Sequence, residues 1–347
     1  MAEYEDFIPV NLLTGFLGSG KTTLLQRLLE SPRLANTAVL INEFGEVGLD
    51  HLILETVDEA TVVLQSGCVC CTIRSDLKEA IAGLYDKSHR GLIPKFDRIV
   101  IETTGLADPA PIVFTLRGDP MIRHHFRLGN IVTTVDALNA ERQLVTHNET
   151  AKQIAVADRI VLTKTDLVEP EIAERLVRIV KAINGTAKLY DGRTDPVDAD
   201  DLMSRDIYDP ETKSDEVRGW LEEEAARPDH VHGVDRSRHA GDIHTFCLTE
   251  ERPLDWTAFG IWLSMLVHAH GEKMLRVKGL INVAGLATPV VINGVQHVIH
   301  PPAHLDHWPS DDMRSRVIFV VQGLDPDLLQ RSLAAFNRLA VAGADPA

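Results

Sequence analysis

The segment Gly15-Phe16-Leu17-Gly18-Ser19-Gly20-Lys21-Thr22 reads G-x-x-x-x-G-K-[ST], with an apolar run before it and a helical pattern after it. Glycines let a backbone curl until successive N–H groups converge on phosphate oxygens. The helix that follows adds the partial positive charge of its N-terminus. Lys21 can then reach β- and γ-phosphates, and the Thr22 hydroxyl can ligate Mg²⁺. With glycine near ~7% of residues, a chance match in a chain this long is on the order of one in a hundred.

Two later segments refine that chemistry. Arg98–Glu102 is an apolar run ending in a carboxylate, followed by Thr103-Thr104-Gly105. Glu102 can hold the Mg²⁺ shell there, and the Gly105 N–H can meet a γ-phosphate. Ile160-Val161-Leu162 leads into Thr163-Lys164-Thr165-Asp166, a variant of the N-K-x-D element with Thr163 in the Asn place. The Asp166 carboxylate can accept from guanine N1–H and N2–H₂, a donor pair that adenine lacks, while the Lys164 stem would lie along the base. The plainer readings are a charged strand end for Glu102 and a turn cap for Asp166. Taken together with the loop, the three elements select GTP over ATP.

A different chemistry lies between the first two of these elements. Ser66-Gly67-Cys68-Val69-Cys70-Cys71-Thr72 places three thiols within four residues. Thiolates that close can act as soft ligands for one ion, Zn²⁺ by default and Co²⁺ or Cu(I) otherwise. Cys68 and Cys71 are also spaced C-x-x-C, so a redox pair stays open, as do three buried cysteines without a role. Glu46, in Asn42-Glu43-Phe44-Gly45-Glu46-Val47-Gly48, is a candidate for completing the site. Fewer than four protein ligands would leave the ion exchangeable, which suits delivery.

Such residues must be held by elements. Through the first two hundred positions, apolar runs (Ile8–Leu13, Ala38–Ile41, Thr61–Gln65, Arg98–Glu102, Ile131–Asp136 and Arg159–Thr163) alternate with helical patterns at Thr22–Glu30 and Ser75–Lys87. That order implies a mostly parallel sheet with crossover helices, and ligands on such sheets sit outside the carboxyl ends of the strands. All the motifs begin at or just after those ends. From about Asp191 the texture turns polar, with one amphipathic stretch near Val217–Ala226 read as a peripheral helix. A strand at Ile243–Leu248 then opens a second unit: a helix at Trp256–Ala269, strands at Lys273–Val283, Pro289–His297 and Arg316–Val321, and a helix at Pro326–Leu339. The expected fold is α/β with a small α+β C-terminal domain, divided as residues 1–205, a polar linker 206–242, and 243–341.

The 347 residues carry 35 basic and 51 acidic side chains, a net charge of −16. Such a surface repels phosphate backbones and argues against nucleic acid as partner. The acidic start Met1-Ala2-Glu3-Tyr4-Glu5-Asp6 is unlike a signal peptide. The uncharged stretch Gly279–Leu305 is broken by Pro289, Pro301 and Pro302, so it reads as strands and turns, not a membrane span. A cytoplasmic protein is expected. Cys247 reads as a buried small hydrophobe, and Trp256, Phe259, Trp262 and Leu266 as core at helical spacing. Of fifteen histidines, His230, His232, His239 and His244 in the linker region, and His297, His300, His304 and His307 further on, read as solvated polar loop. His268 and His270 read as surface.

Thr14–Thr23, the Asn-Glu-Phe-Gly-Glu run, Gly67–Cys71 with its C-x-C-C element, Glu102–Gly105 and Thr163–Asp166 together resemble the CobW family of P-loop GTPases, a SIMIBI-class group of metallochaperones. The resemblance spans nearly the whole chain. It implies a P-loop GTPase domain with a small C-terminal domain, and GTP with Mg²⁺ bound through Gly15, Gly18, Ser19, Gly20, Lys21, Thr22, Thr23, Thr163, Lys164 and Asp166. It implies hydrolysis assisted by Lys21, Thr22, Glu102 and Gly105. It further implies Zn²⁺ or Co²⁺ at Cys68, Cys70 and Cys71, with Glu46 as the added candidate, and transfer to a client apo-metalloprotein. By the same resemblance, the N-terminal docking extension of eukaryotic zinc-transfer members is not expected here, and Ile41-Asn42-Glu43 stands where some bacterial relatives have Glu-Asn-Glu. Client and oligomeric state stay open. The rival readings are a zinc buffer whose nucleotide loop is only structural, and a P-loop nucleotide kinase.

Overall fold

The computed structural model describes residues 7–41, 62–65, 73–195, 198–209, 211–225 and 242–343. Its first part alternates strand and helix: β1 (Ile8–Gly15), α1 (Lys21–Leu29), β2 (Thr37–Ile41), β3 (Val62–Gln65), α2 (Ile73–His89), β4 (Arg98–Glu102), α3 (Ala110–Gly118), α4 (Pro120–His125), β5 (Phe126–Asp136), α5 (Ala140–Thr146), α6 (Asn148–Val156), β6 (Arg159–Thr163), α7 (Pro170–Ile183) and β7 (Lys188–Asp191). The strands form one sheet in the order β3-β2-β4-β1-β5-β6-β7, and its ladders are parallel. Near-continuous apolar sequences such as Ile99-Val100-Ile101 belong in such a sheet, because helices cover both faces. Helix α7 shows how: Pro170 opens it, and Leu176, Val180 and Ile183 form its buried stripe.

Two short helices, α8 (Ala199–Met203) and α9 (Lys213–Ala225), connect to the second part: β8 (Ile243–Glu250), α10 (Trp256–His270), β9 (Met274–Ile281), β10 (Val290–Val295), β11 (Val298–Ile299), β12 (Ala303–His304), β13 (Ser315–Gln322) and α11 (Pro326–Gly343). Its strands make an antiparallel sheet ordered β11-β10-β9-β13-β8, with β12 paired to β10. The Asp255 carboxylate accepts the Ala258 N–H at 2.7 Å and caps α10, whose Phe259, Trp262 and Leu266 pack with Val277, Val317 and Phe319 on one face of the sheet.

The opposite face lies on the first sheet's layer. Leu275, Val295, Val298 and Val320 share one apolar cluster with Ile154, Ala155 and Val156 of α6. Helix α9, expected to be peripheral, is instead wedged here: Val217 and Trp220 pack with Leu280, Val291 and Leu305. Among these apolar contacts sits a group of charges. The Asp158 carboxylate accepts from Arg276 and, at 3.1 Å, from Lys278, and from the Ile131 N–H at 3.1 Å. Burial would raise the Asp158 carboxyl, but Arg276, Lys278 and Arg159 outweigh it and bring it down to about 2. Burial, and then the nearby guanidinium groups, push the Lys278 ammonium down to about 8 against the pull of Asp158.

Four further expectations are corrected here. His300 is not in solvated loop but buried at 3% exposure, facing a cavity of about 20 Å³ between the two parts. Burial and the positive field of Arg276 and Arg117 push its imidazole down to about 3. Trp256, expected as core, is the first residue of α10 and is 41% exposed. Cys247 is only partly buried, since β8 is an edge strand. His244 belongs to β8, not to the linker, while His230, His232 and His239 lie outside the described residues. His268, His270, His297, His304 and His307 are exposed, and Gly279–Leu305 consists of strands and turns, as expected. Among the described residues no helix is long and apolar enough to cross a membrane.

Candidate functional site

Strand β1 is central, and the chain crosses to opposite sides of it on the way to β2 and to β5, which makes the carboxyl end of β1 a topological switch point. Register fixes what meets there. Leu13 pairs with Glu102 and Gly15 with Thr134, while Asp136 lies beside Thr163. The backbone from Gly15 to Gly20 turns over this edge, with Gly18 and Gly20 in the left-handed region at φ 71° and 88°. Gly15 tolerates no side chain, since a Cβ would lie 2.3 Å from the Thr134 hydroxyl and 2.7 Å from that of Ser19. Those two hydroxyls are themselves bonded at 2.6 Å.

Lys21, the first residue of α1, curls back so that Nζ donates to the Gly15 and Phe16 carbonyls at 3.0 and 3.2 Å. Its ammonium is thereby held over the loop, where incoming phosphate oxygens could replace those carbonyls. One residue on, the Thr22 hydroxyl donates to Glu102 Oε1 at 2.6 Å. A hydroxyl and a carboxylate in contact beside a phosphate loop form a hard-oxygen pair that fits Mg²⁺, an ion usually held by few protein oxygens plus substrate phosphates. Thr23 is exposed on α1. Gly105 follows β4 and packs on the loop: a Cβ there would fall 2.4 Å from the Leu17 nitrogen.

The strand end of β6 joins the same edge. The Thr163 hydroxyl donates to the Ser19 carbonyl at 2.8 Å. Lys164, in the left-handed region at φ 58°, donates through Nζ to the Gly18 carbonyl and to Asp136 Oδ2, both at 2.7 Å. Thr163 and Lys164 therefore stitch the loop to β6, and Asp166 stands exposed just beyond. The structure thus brings Gly15, Ser19, Lys21, Thr22, Glu102, Gly105, Thr163 and Lys164 into one contiguous site.

Two residues that support this site from behind carry no local sequence motif. Asp136 accepts from Lys164, Asn139 and the Leu138 N–H. Burial alone would raise its carboxyl, but those bonds hold it below the usual carboxylate range. Gln153, on α6, donates through Nε2 to the Gly105 and Ala107 carbonyls at 3.2 and 3.0 Å. For Asp136 the available signal was its place at the end of an apolar run. Gln153 offered none.

The expected metal ligands Glu46, Cys68, Cys70 and Cys71 lie outside the described residues. The strands leading toward them do not. Ile41 ends β2 beside both Glu102 and Gln65, the last residue of β3. Both strands finish on the edge that carries the phosphate loop.

Comparison with known proteins agrees with this architecture. Residues 9–191 match the family model "CobW/HypB/UreG, nucleotide-binding domain", and residues 243–337 match "Cobalamin synthesis protein cobW C-terminal domain". The zinc chaperone YjiA of Escherichia coli (strain K12) is 31% identical over 337 residues, covering 95% of this chain and 99% of that protein. The zinc-regulated GTPase metalloprotein activator 1 of Schizosaccharomyces pombe is 33% identical over 313 residues, covering 80% of this chain and 72% of its own length. The crystal structure of Zn(II)-bound YjiA GTPase from E. coli superposes with a TM-score of 0.70 at 28% identity, over 95% of this chain and 98% of that one. The phosphate loop at the switch point, the Thr22–Glu102 pair and the antiparallel second sheet are therefore those of a chain that belongs to the CobW family.

Proposed function

We propose that this chain is a GTP-hydrolysing metal chaperone, binding Zn²⁺ or Co²⁺ at Cys68, Cys70 and Cys71 with Glu46 and handing it to a client apo-metalloprotein. The observation that carries the reading is the shared edge. The phosphate loop, Glu102 and the ends of β2 and β3 lie side by side, so segments leaving Ile41 and Gln65 start where a γ-phosphate would be. Similarity to proteins named zinc chaperone and zinc-regulated GTPase activator supports it.

In this reading GTP takes over the contacts that the loop now makes with itself. Lys21 turns from the Gly15 and Phe16 carbonyls to β- and γ-phosphate oxygens, and the loop N–H groups of Gly18, Ser19 and Gly20 add to it. These donors stabilise the charge that builds as the bond to the γ-phosphorus breaks. Thr22 and Glu102 would hold Mg²⁺, which neutralises phosphate charge when bound. Thr23 lies on the same helix turn, and the Gly105 N–H meets the γ-phosphate. Thr163 and Lys164 position the base edge, and Asp166 reads guanine. No glutamine or arginine motif assigns an orienting group to the attacking water, so slow intrinsic turnover is expected. The division at 205/206 and 242/243 and a cytoplasmic setting belong to the same proposal.

A competition titration with a zinc or cobalt probe tests it. Tight metal binding is expected with a non-hydrolysable GTP analogue, weaker binding with GDP, and loss of both tight binding and nucleotide dependence in Cys70→Ser. Equal metal affinity in the two nucleotide states would remove the chaperone cycle. Full metal binding without any GTP turnover would favour a zinc buffer.

A further inference from the structure

Helix α6 touches both parts of the molecule. On one side it grips the turn after β4 at two points. Gln153, 1% exposed, donates to the Gly105 and Ala107 carbonyls, and Lys152 pairs with Asp108 at 3.4 Å. On the other side its Ile154 and Ala155 pack with Leu275 and Val320 of the second sheet. Its C-terminal end is fixed as well: Asn184 Nδ2 donates to the carbonyls of Ile154, Ala155 and Ala157 at 2.8, 3.1 and 3.0 Å. Two residues past the helix, Asp158 holds Arg276 and Lys278 of β9.

We infer that α6 couples the nucleotide state of the phosphate loop to the docking of the C-terminal domain. Gly105 is the joint. Its backbone sits against Leu17 of the loop, and its carbonyl is held by Gln153. The Gly105 N–H and carbonyl lie in adjacent peptide planes hinged at one Cα, so drawing the N–H toward a γ-phosphate displaces that Cα, and with it the carbonyl that Gln153 holds. Gln153 is anchored in turn, because its own carbonyl accepts from the Thr133 hydroxyl at 2.9 Å. A nine-residue helix packed on both sides cannot absorb that displacement internally, since close-packed interiors transmit strain. The shift therefore arrives at Ile154, Ala155 and Asp158, the groups that hold β9. Gln153 and Lys152 are positioning residues in this scheme, and the ligand that drives it is a nucleoside triphosphate as against a diphosphate. The inference rests on the GTP reading given above.

Hydrogen–deuterium exchange of the full chain tests it, with Mg²⁺ and either GDP or a non-hydrolysable GTP analogue, both at saturation by a separate fluorescent-nucleotide titration. Allosteric couplings commonly change an equilibrium by about 5–150-fold, so exchange in peptides covering Met274–Ile281 and residues 298–305 should differ at least about fivefold between the two states. Gln153→Leu should bind both nucleotides yet abolish that difference. If Gln153→Leu does not fold, Lys152→Ala, on a half-exposed residue, should reduce the difference. Identical exchange in both states of the parent would overturn the coupling. A difference that persists in full in the variants would overturn the route through α6. A parent that binds neither nucleotide in the titration would instead remove the GTP reading, and the inference with it.

Discussion

Replacing Asp158 by asparagine would leave shape nearly unchanged but strand two buried cations. Arg276 and Lys278 are 1% and 4% exposed, and both donate to Asp158 Oδ1. The carboxyl lies at about 2 instead of 3.8, so its charged form is favoured by about 2–3 kcal/mol in the folded state. The variant loses that attraction and leaves uncompensated interior charge, a change that typically costs about 3–5 kcal/mol. Urea titration at pH 7, followed by tryptophan fluorescence, should show a loss of that size. Trp220 is a suitable reporter, because Lys278 Nζ lies 5.3 Å from its ring centroid. Adding Lys278→Met to the Asp158→Asn background should recover part of the loss by removing one stranded charge. The contribution of Asp158 is complete above the unfolded value of 3.8 and fades as pH falls toward 2. The parent–variant gap should therefore be widest near pH 5 and close below 4, and it should narrow toward pH 8, where Lys278, already lowered to about 8 and without its partner in the variant, sheds its proton. A loss under about 0.5 kcal/mol, the range of ordinary surface substitutions, would refute the view that this cluster holds the interface.

His300 makes a second window. Its folded imidazole refuses a proton until about 3, while the unfolded chain takes one up at 6.5. Stability from this group is thus present above 6.5 and lost as pH falls, by about 2 kcal/mol at pH 5. His300→Gln should lack that component in paired urea titrations at pH 7.5 and 5, and equal pH slopes in parent and variant would count against burial of a neutral ring. Gly105→Ala would drive a Cβ into the Leu17 backbone, so a loss of about 1–3 kcal/mol is expected together with slower GTP turnover. An unchanged melting temperature and phosphate-release rate would mean that the turn yields freely. Asp166→Asn should weaken GTP binding and move preference toward xanthine nucleotides in a competition assay; equal binding of ATP and GTP by the parent would sink the base-reading argument.

The site was legible where its chemistry is written in consecutive residues. Gly15–Thr22 and the boundaries of β4 and β6 could be read because short apolar runs end at polar residues that must stay at a sheet edge. Pairings across the sequence left no such trace. The pattern Leu275-Arg276-Val277-Lys278 alternates like a strand with one wet face, yet both faces of β9 are buried. Asp158, which neutralises the cations, lies 118 residues before Arg276. His300 was misread for the same reason: its neighbours in sequence are loop-like, and only the facing domain buries it. Helices α5 and α6 went unseen because His147 interrupts the apolar pattern between them and each is under ten residues long. Gln153 looks like any surface glutamine until the Gly105 turn is laid on it.

The strand order of the second sheet also bears on how the chain is made. Strand β13, near the C-terminus, lies between β8 and β9, so the antiparallel sheet cannot close until Ser315–Gln322 has been synthesised. The strands of the first sheet are complete by Asp191, roughly 130 residues earlier, which at ~5–20 residues per second is about 7 to 26 s of translation. Until Met274–Ile281 has been made and the sheet around it closes, Ile154, Ala155 and Asp158 form a surface without its final cover. A nascent chain at this stage shows an apolar patch with an acidic centre to whatever surrounds the ribosome, and holdase chaperones that recognise exposed apolar surface would find it there.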